Sequence, residues 1–442
     1  MKITLILPAI GKKPGQRYIG TWKMEPLTIA VIKGLTPAGI DCQFFDDRIE
    51  QIDYQTPTDL VLISVETYTA KRAYAIAARF KQRGIPVVLG GYHVTLAPEE
   101  AAQHADSLVI GNIEAIWPKL LSDFSSGEMQ NRYVGKPIYA SAAPDLSIYR
   151  GKKYLPVSLV ETGRGCPHAC EFCAISSFYA SCYHPRPLDA VLDDLRSAKH
   201  GYVFLVDDNL VADRAYAKAL FTAMIPLKLH WAGQGTLNLG RDPELLQLMK
   251  ASGCELILIG FETLSEGNLR QMHKAKFGAN EREKLVRRIH RAGINIYATF
   301  VFGYDDDGDE SFAQTLAFCQ RHRFFTAAFN HLLAFPGTPL YQRLAAEGRL
   351  LHDTWWLDDA YRYGDFAFTP KRMSAEEMSR RCYQTRKAFN KPSNLLRRSL
   401  AVWQRSGSRL IPLFWMMNLP LSREVDDKMR VRLGAHLDES PK

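Results

Sequence analysis

No stretch of this chain reaches the roughly 18 consecutive apolar residues that a membrane-spanning helix needs. The longest candidate, LIPLFWMMNLPL at 410–421, is too short. Low-complexity tracts are absent, and 46% of the residues are hydrophobic, so a large core can form. Cysteine is scarce outside one place. Of eight cysteines, Cys42, Cys182, Cys254, Cys319 and Cys382 are scattered. That is no disulfide framework, and it points to a reducing cytoplasm. Acidic residues fall short of basic ones, leaving a net charge of +9 whose excess sits mainly near the C-terminal end. A solvated basic face accounts for this, and no nucleic-acid partner is expected. The opening MKITLILPAIGKK has a proline inside its apolar run and no small-residue cleavage site, so it reads as a buried first strand.

What is present is a β/α alternation. DCQFFD, DLVLISVE, PVVLGG and SLVIGN are short β-rich runs, and PLTIAVIKGLTPAG, AKRAYAIAARFKQRG and EAIWPKLLSDFSSG between or after them are helical. Such runs imply a parallel sheet covered on both faces, doubly wound and flavodoxin-like, over residues 1–135. Residues 136–155 lack periodicity and read as a linker. Over 156–370 the alternation resumes with a longer period. Strands are expected at 157–162, 202–208, 229–234, 255–262, 295–303 and 327–335. Six strand–helix units predict a partial (β/α)6 barrel with its chemistry at the strand C-termini. Residues 371–442 read as a helical C-terminal extension, entered through the capping box of MSAEEMSRRCYQTRKAFN.

The stretch GRGCPHACEFC at 163–173 holds the other three cysteines, Cys166, Cys170 and Cys173. Thiolates select soft metals and iron–sulfur clusters. Three of them can hold three corners of a four-iron cube and leave one iron open. The glycines let backbone approach closely, and Phe172 would shield a cluster from water. A zinc site completed by His168, Cys182 or His184 is the competing reading.

Cys-x3-Cys-x2-Cys after the first strand of a six-unit barrel resembles the radical S-adenosylmethionine (SAM) superfamily. The resemblance implies a 4Fe–4S cluster whose open iron chelates SAM, and a one-electron cleavage of SAM to a 5′-deoxyadenosyl radical. It also implies a one-electron reductant such as flavodoxin or ferredoxin. The strand ends become SAM contacts by analogy: Asp208 and Asn209 in VDDN, Gln234, Glu262 in GFET, Gly303 and the backbone near Phe335. The competing reading for each is ordinary capping of the following helix, less favoured for Asp208 and Glu262 than for Gln234.

The whole chain further resembles the cobalamin-binding radical SAM proteins, in the subgroup of the anaerobic bacteriochlorophyll cyclase and the hopanoid methylases. MEPLTIAVIKGL, LISVET, LGGYHVT, VIGNIEAIWPKL, FLVDDN and LIGFET carry this likeness. It implies cobalamin held near Ser64, Thr67, Gly90, Gly91, Gly111 and Glu114. The loop IGKKPGQRYIGTWKMEP after the first strand has no histidine. Cobalt would then lack a His ligand and have water or a side chain such as Tyr18 or Trp22 below it. The implied reaction is methylation of an unactivated carbon through methylcobalamin. Alternatives are a radical cyclisation or rearrangement, a cobalamin-free radical enzyme, or a binding module without turnover. The implied substrate is a small, lipid or tetrapyrrole-like molecule, by analogy alone.

Three features remain. Asp305, Asp306, Asp307 and Asp309 suit a helix N-terminus. Trp355, Trp356 and the aromatics at 361–368 either cover an apolar substrate or pack the C-terminal helices on the barrel. The 410–421 segment is a candidate for peripheral membrane contact, or for core packing.

Overall fold

The computed structural model describes residues 1–15, 23–136, 143–274 and 277–439. Within these residues the first sheet has six parallel strands: β1 (Lys2–Leu7), β2 (Asp41–Asp46), β3 (Leu60–Ser64), β4 (Val87–Gly90), β5 (Ser107–Gly111) and β6 (Arg132–Gly135). Their order is β2-β1-β3-β4-β5-β6. This is the flavodoxin-like order with an added edge strand, β6, which the sequence pattern did not suggest. Alternate residues feed two cores. Ile3, Leu5, Leu60 and Leu62 pack toward the helices Leu27–Leu35 and Trp117–Ser126. Ile6, Val61, Ile63 and Leu89 pack toward Ala70–Gln82. The period of two, with both faces apolar, is why these strands read as unbroken hydrophobic runs.

The segment that reads as a linker is partly built into this half. Tyr149 is buried against Phe44, and the Tyr154 hydroxyl meets Asp46 at 2.9 Å.

The second sheet contains β7 (Ser158–Val160), then, beyond a hairpin of β8 (Gly163–Gly165) and β9 (Tyr183–Pro185), the strands β10 (Tyr202–Leu205), β11 (His230–Gly235), β12 (Cys254–Glu262), β13 (Asn295–Phe302) and β14 (Thr326–His331). Its six parallel strands run β14-β13-β12-β11-β10-β7, in sequence order from β7 to β14. Outward residues such as Val203, Trp231, Ile257 and Ile296 join the core under the surrounding helices. The overall α/β architecture of parallel sheets is as the alternation predicts.

The C-terminal helices Ala375–Phe389, Pro392–Ser406 and Ile411–Lys428 follow. Leu395, Val402, Leu410 and Phe414 pack with Leu256 and Phe325, at the strand-start end of the barrel. Arg398 is buried there and donates to Phe325 O at 3.0 Å and Asn418 Oδ1 at 2.9 Å. The chain then returns to the first sheet, where Asp438 meets Arg72 at 2.8 Å. The aromatic run divides: Phe366 and Phe368 share a core with Met378, Cys382 and Phe389 of the C-terminal helix Ala375–Phe389, as one of the two readings expects, and the rest goes elsewhere. Trp355, Trp356 and Tyr361 are buried in the core that covers the first sheet, with Trp355 against Tyr68 and Trp356 Nε1 on Glu100 at 3.0 Å. These three rings are packed on the first sheet, while Phe366 and Phe368 are packed on the second. A sequence shows that such rings must be buried, but not against what.

Candidate functional site

The cysteines lie in the loop between β8 and β9, and glycine chemistry explains how that hairpin closes. Gly165 has φ +77, and a Cβ there would stand 2.2 Å from Cys182 O. A Cβ on Gly163 would stand 2.3 Å from the Tyr183 hydroxyl. Only glycine permits this approach. Residues after β10 hold the start of the loop. Asp207 accepts from Thr162 N at 2.9 Å and Thr162 Oγ1 at 2.6 Å. Asp208 Oδ2 accepts from Gly165 N at 3.1 Å, and Asn209 Nδ2 reaches Cys166 Sγ at 3.7 Å. Gln234 Nε2 donates to Asp208 O at 3.0 Å. From the other side Arg343 pairs with Glu171 at 2.9 Å, between Cys170 and Phe172.

Burial pushes the Cys170 thiol up to about 11 and raises Cys166 as well. Burial likewise raises Asp208 to about 6, helped by nearby Glu161. Beyond β12, Glu262 has φ +61 and pairs with Lys274 at 2.5 Å. Burial opposes the charge on Lys274, yet Glu262 and the two thiols Cys170 and Cys173 raise its pKa overall. A cation therefore stands beside the cysteine loop. Among the described residues no three His, Cys, Asp or Glu side chains converge tightly enough for one metal ion. A cube, with one thiolate per corner, asks for more widely spaced donors.

A cavity of about 340 Å³ lies between the two sheets. The ends of β3, β4 and β5 form one wall through Ser64, Val65, Gly91, Gly111 and Asn112. The barrel supplies the other through Glu161, Arg164, Phe178, Tyr179 and Val206. Tyr92 packs edge-on to Phe178 with ring centres 4.7 Å apart. Arg164 spans the gap to Glu114 at 2.5 Å and also pairs with Glu161 at 2.8 Å. Glu66 lines the cavity with its side chain exposed to it.

Of the residues singled out from sequence, Ser64, Gly90, Gly91, Gly111 and Glu114 line this cavity. Thr67 lies outside it and meets His93 Nδ1 at 3.3 Å. His93 is fully buried, with Glu100 at 3.0 Å and Tyr74 at 3.1 Å on Nε2. Tyr18 and Trp22 fall outside the described residues. Phe172 is half-buried on the barrel core, edge-on to Tyr304. The space beside Gly303 is filled, since a Cβ would stand 2.5 Å from Phe366. Phe335 faces the seam with Tyr68 and Trp355. Asp307 caps Gly303 N and Tyr304 N, and Asp305 pairs with Arg349 and Lys371, so the acidic turn is spent on structure. Glu66, Arg164 and Lys274 were not singled out. Arg164 carried a signal, a lone charge between two glycines before the first cysteine. Lys274 carried none.

The sequence profile of the Radical SAM superfamily matches residues 160–319. Bacteriochlorophyllide d C-12(1)-methyltransferase of Chlorobaculum tepidum is 30% identical over 90% of this chain and 88% of its own length. Hopanoid C-2 methylase of Rhodopseudomonas palustris is 27% identical over 75% of this chain and 66% of its own. Among solved structures, the radical S-adenosylmethionine methyltransferase TsrM from Kitasatospora setae, with cobalamin and a [4Fe-4S] cluster bound, shares the fold. Its TM-score is 0.68 at 15% identity, over 96% of this chain and 99% of that one.

Proposed function

The chain belongs to the radical SAM superfamily, and from that premise we propose that it is a cobalamin-dependent methyltransferase acting on an unactivated carbon. The single observation that carries this reading is the cavity between the sheets. Its walls are the strand ends of a flavodoxin-like sheet on one side and the flanks of the cysteine loop on the other.

The residues present suit the two groups the family implies. Three cysteines on one glycine-hinged loop are the donor set for three corners of a four-iron cluster, with Phe172 beside them. The cavity is lined by the apolar Leu62, Val65, Val109 and Val206 together with Ser64, Asn112 and the carboxylates of Glu66, Glu114 and Glu161. That combination fits a corrin ring with its amide fringe. When bound, the cluster and SAM supply an adenosyl radical by one-electron chemistry, and the corrin supplies a methyl carrier.

The chain's own groups have separate tasks. Asp207 and Asp208 fix the first cysteine through Thr162 and Gly165. Lys274, paired with Glu262 beside the cysteine loop, provides a cation for a ligand carboxylate. Asp208, Gln234 and Glu262 provide acceptors for an ammonium and for hydroxyls, whereas Gly303, expected from the resemblance to contribute backbone, is covered by Phe366 and capped by Asp307. Ser64, Gly90, Gly91, Gly111 and Glu114 would form the wall that holds the corrin, while Thr67, outside the cavity, meets the buried His93. His93 is committed to Glu100 and Tyr74, so a bound corrin would have to be held without it.

The relatives point to a polycyclic or tetrapyrrole-like substrate, and a flavodoxin or ferredoxin is the fitting electron donor. No helix among the described residues is long and apolar enough to cross a membrane. Leu396, Leu400 and Trp403 are exposed at helical spacing, which supports peripheral contact with a membrane surface. All eight cysteines are free, in keeping with a reducing cytoplasm.

The test is product stoichiometry. Reduced, reconstituted protein supplied with SAM and substrate should form S-adenosylhomocysteine and 5′-deoxyadenosine in step with methylated product. Deoxyadenosine without S-adenosylhomocysteine would mean cyclisation or rearrangement instead.

A further inference from the structure

A second and larger cavity, about 850 Å³, lies inside the barrel at the strand-start end. Its wall is Tyr202, Phe204, Leu256, Leu258 and Tyr297 from the strands, facing Leu413 and Met416 of the helix Ile411–Lys428. Protein interiors are packed as densely as organic crystals and leave few voids larger than a water. A space this large and this apolar is therefore no packing defect. It has a mouth, because Met416 and Arg409, both on its wall, are about half exposed. At that rim Arg409 is already held by Glu255, which also takes Tyr202 OH and stands 3.1 Å from His230. The rim charges are thus paired with one another and leave the interior to a neutral occupant.

The strands link this chamber to the cavity between the sheets. Alternate strand residues share a face. Along β10 and its extension, Tyr202 and Phe204 line the chamber, Val206 lines the upper cavity, and Asp208 binds the cysteine loop. Leading into and out of β7, Leu155 and Val157 line the chamber and Glu161 the upper cavity. Along β12, Leu256 and Leu258 line the chamber, and Glu262 above them meets Lys274. At about 3.3 Å per residue, Phe204 and Val206 are about 7 Å apart along the strand. The barrel interior is therefore graded, apolar below and polar above, with the two spaces stacked.

We propose that this chamber, walled by the helix Ile411–Lys428, binds the uncharged hydrocarbon body of the substrate, so that its reacting carbon stands in the upper, polar half. The inference rests on the methyltransferase reading for what happens above, but the chamber's binding property stands on its own lining. The occupant is a hydrocarbon moiety of several rings or several isoprene units, entering past Met416. The helix is then a specificity element, since Leu413 and Met416 set the room available.

The test uses the full-length protein and the neutral fluorescent probe N-phenyl-1-naphthylamine, competed with farnesol or with a neutral steroid. Wild type should bind the probe and release it to at least one competitor, and the stronger competitor shows whether the chamber prefers a chain or fused rings. Ala232→Phe, which fills the chamber from β11, should weaken probe binding at least tenfold. It should leave iron and corrin uptake as in wild type. Leu413→Glu, on the helix instead of the barrel, should do the same and guards against a misfolded first variant. No probe binding by wild type, or binding unchanged in both variants, overturns the inference. Corrin content measured in the same samples separates the two readings. Probe binding that the variants abolish, without corrin uptake, keeps the chamber and removes the methyltransferase; corrin uptake without probe binding does the reverse.

Discussion

The Arg164 guanidinium meets the Glu114 carboxylate at 2.5 Å, and with that one contact the cysteine hairpin is tied to the loop after the fifth strand of the first sheet. Both side chains are nearly buried, with relative exposures of 12% and 6%. Burial would weaken the charge on Arg164, yet Glu161 and Glu114 raise its pKa overall. The pair sits on the wall of the cavity between the sheets, so that whatever binds there touches both halves of the protein.

Removing one partner of a buried pair leaves the other charge uncompensated. Arg164→Met should destabilise the protein by about 3–5 kcal/mol in urea unfolding. Arg164→Met with Glu114→Leu should cost less than the sum of the single changes. Additive losses would mean that the pair carries no coupling between the halves.

Gly165→Ala should prevent the hairpin from closing. The new Cβ would stand 2.2 Å from Cys182 O in a left-handed conformation. Iron bound after reconstitution should fall to well below half of wild type, while the far-ultraviolet circular dichroism is kept. Full iron loading in this variant would show that the loop is not held by this glycine.

Burial lifts the Asp207 carboxyl to about 7, in spite of the two hydrogen bonds from Thr162 that favour its charged form. In the unfolded chain an aspartate titrates near 3.9. Between about pH 4 and pH 7 the unfolded chain has lost this proton and the folded chain keeps it. The folded state therefore binds more protons, and this residue's contribution to stability falls as pH rises through that window. Asp207→Asn should remove this part of the slope, worth on the order of 1–4 kcal/mol. Denaturant midpoints at pH 5 and pH 8 measure it, with the variant gaining on wild type at the higher pH. Parallel curves would contradict the assignment.

Much of this fold could be read from the chain because its strands are buried on both faces and end in glycines or acids. DLVLISVE and ELILIGFE are apolar runs of strand length, and the loops after them hold the residues that line the site. The cysteine spacing was equally plain, because three thiols in eight residues, just after the first strand of a β/α series, mark a metal-binding loop. Shorter and longer-range features were not legible. The strand Arg132–Gly135 is four residues long at a sheet edge, with Val134 exposed, and it has no apolar period to detect. The hairpin of Gly163–Gly165 with Tyr183–Pro185 pairs segments of three residues across the whole cysteine loop. Lys274 comes to Glu262 only because the chain turns after the fourth barrel strand, and nothing in its neighbours' pattern marks it. The apolar chamber is the clearest case. Its lining alternates with core residues along several strands, so sequence shows Phe204 and Leu258 as hydrophobic but not that the space between them is left unfilled.

The central claim is that one chain holds a corrin between its sheets and a four-iron cluster on its cysteine loop. The most direct measurement is elemental analysis of anaerobically purified protein, reconstituted with iron and sulfide, equilibrated with hydroxocobalamin and desalted. The account predicts about one cobalt and about four irons per chain, and in Cys170→Ala a loss of iron with cobalt retained. Iron without cobalt in the wild-type protein would contradict it.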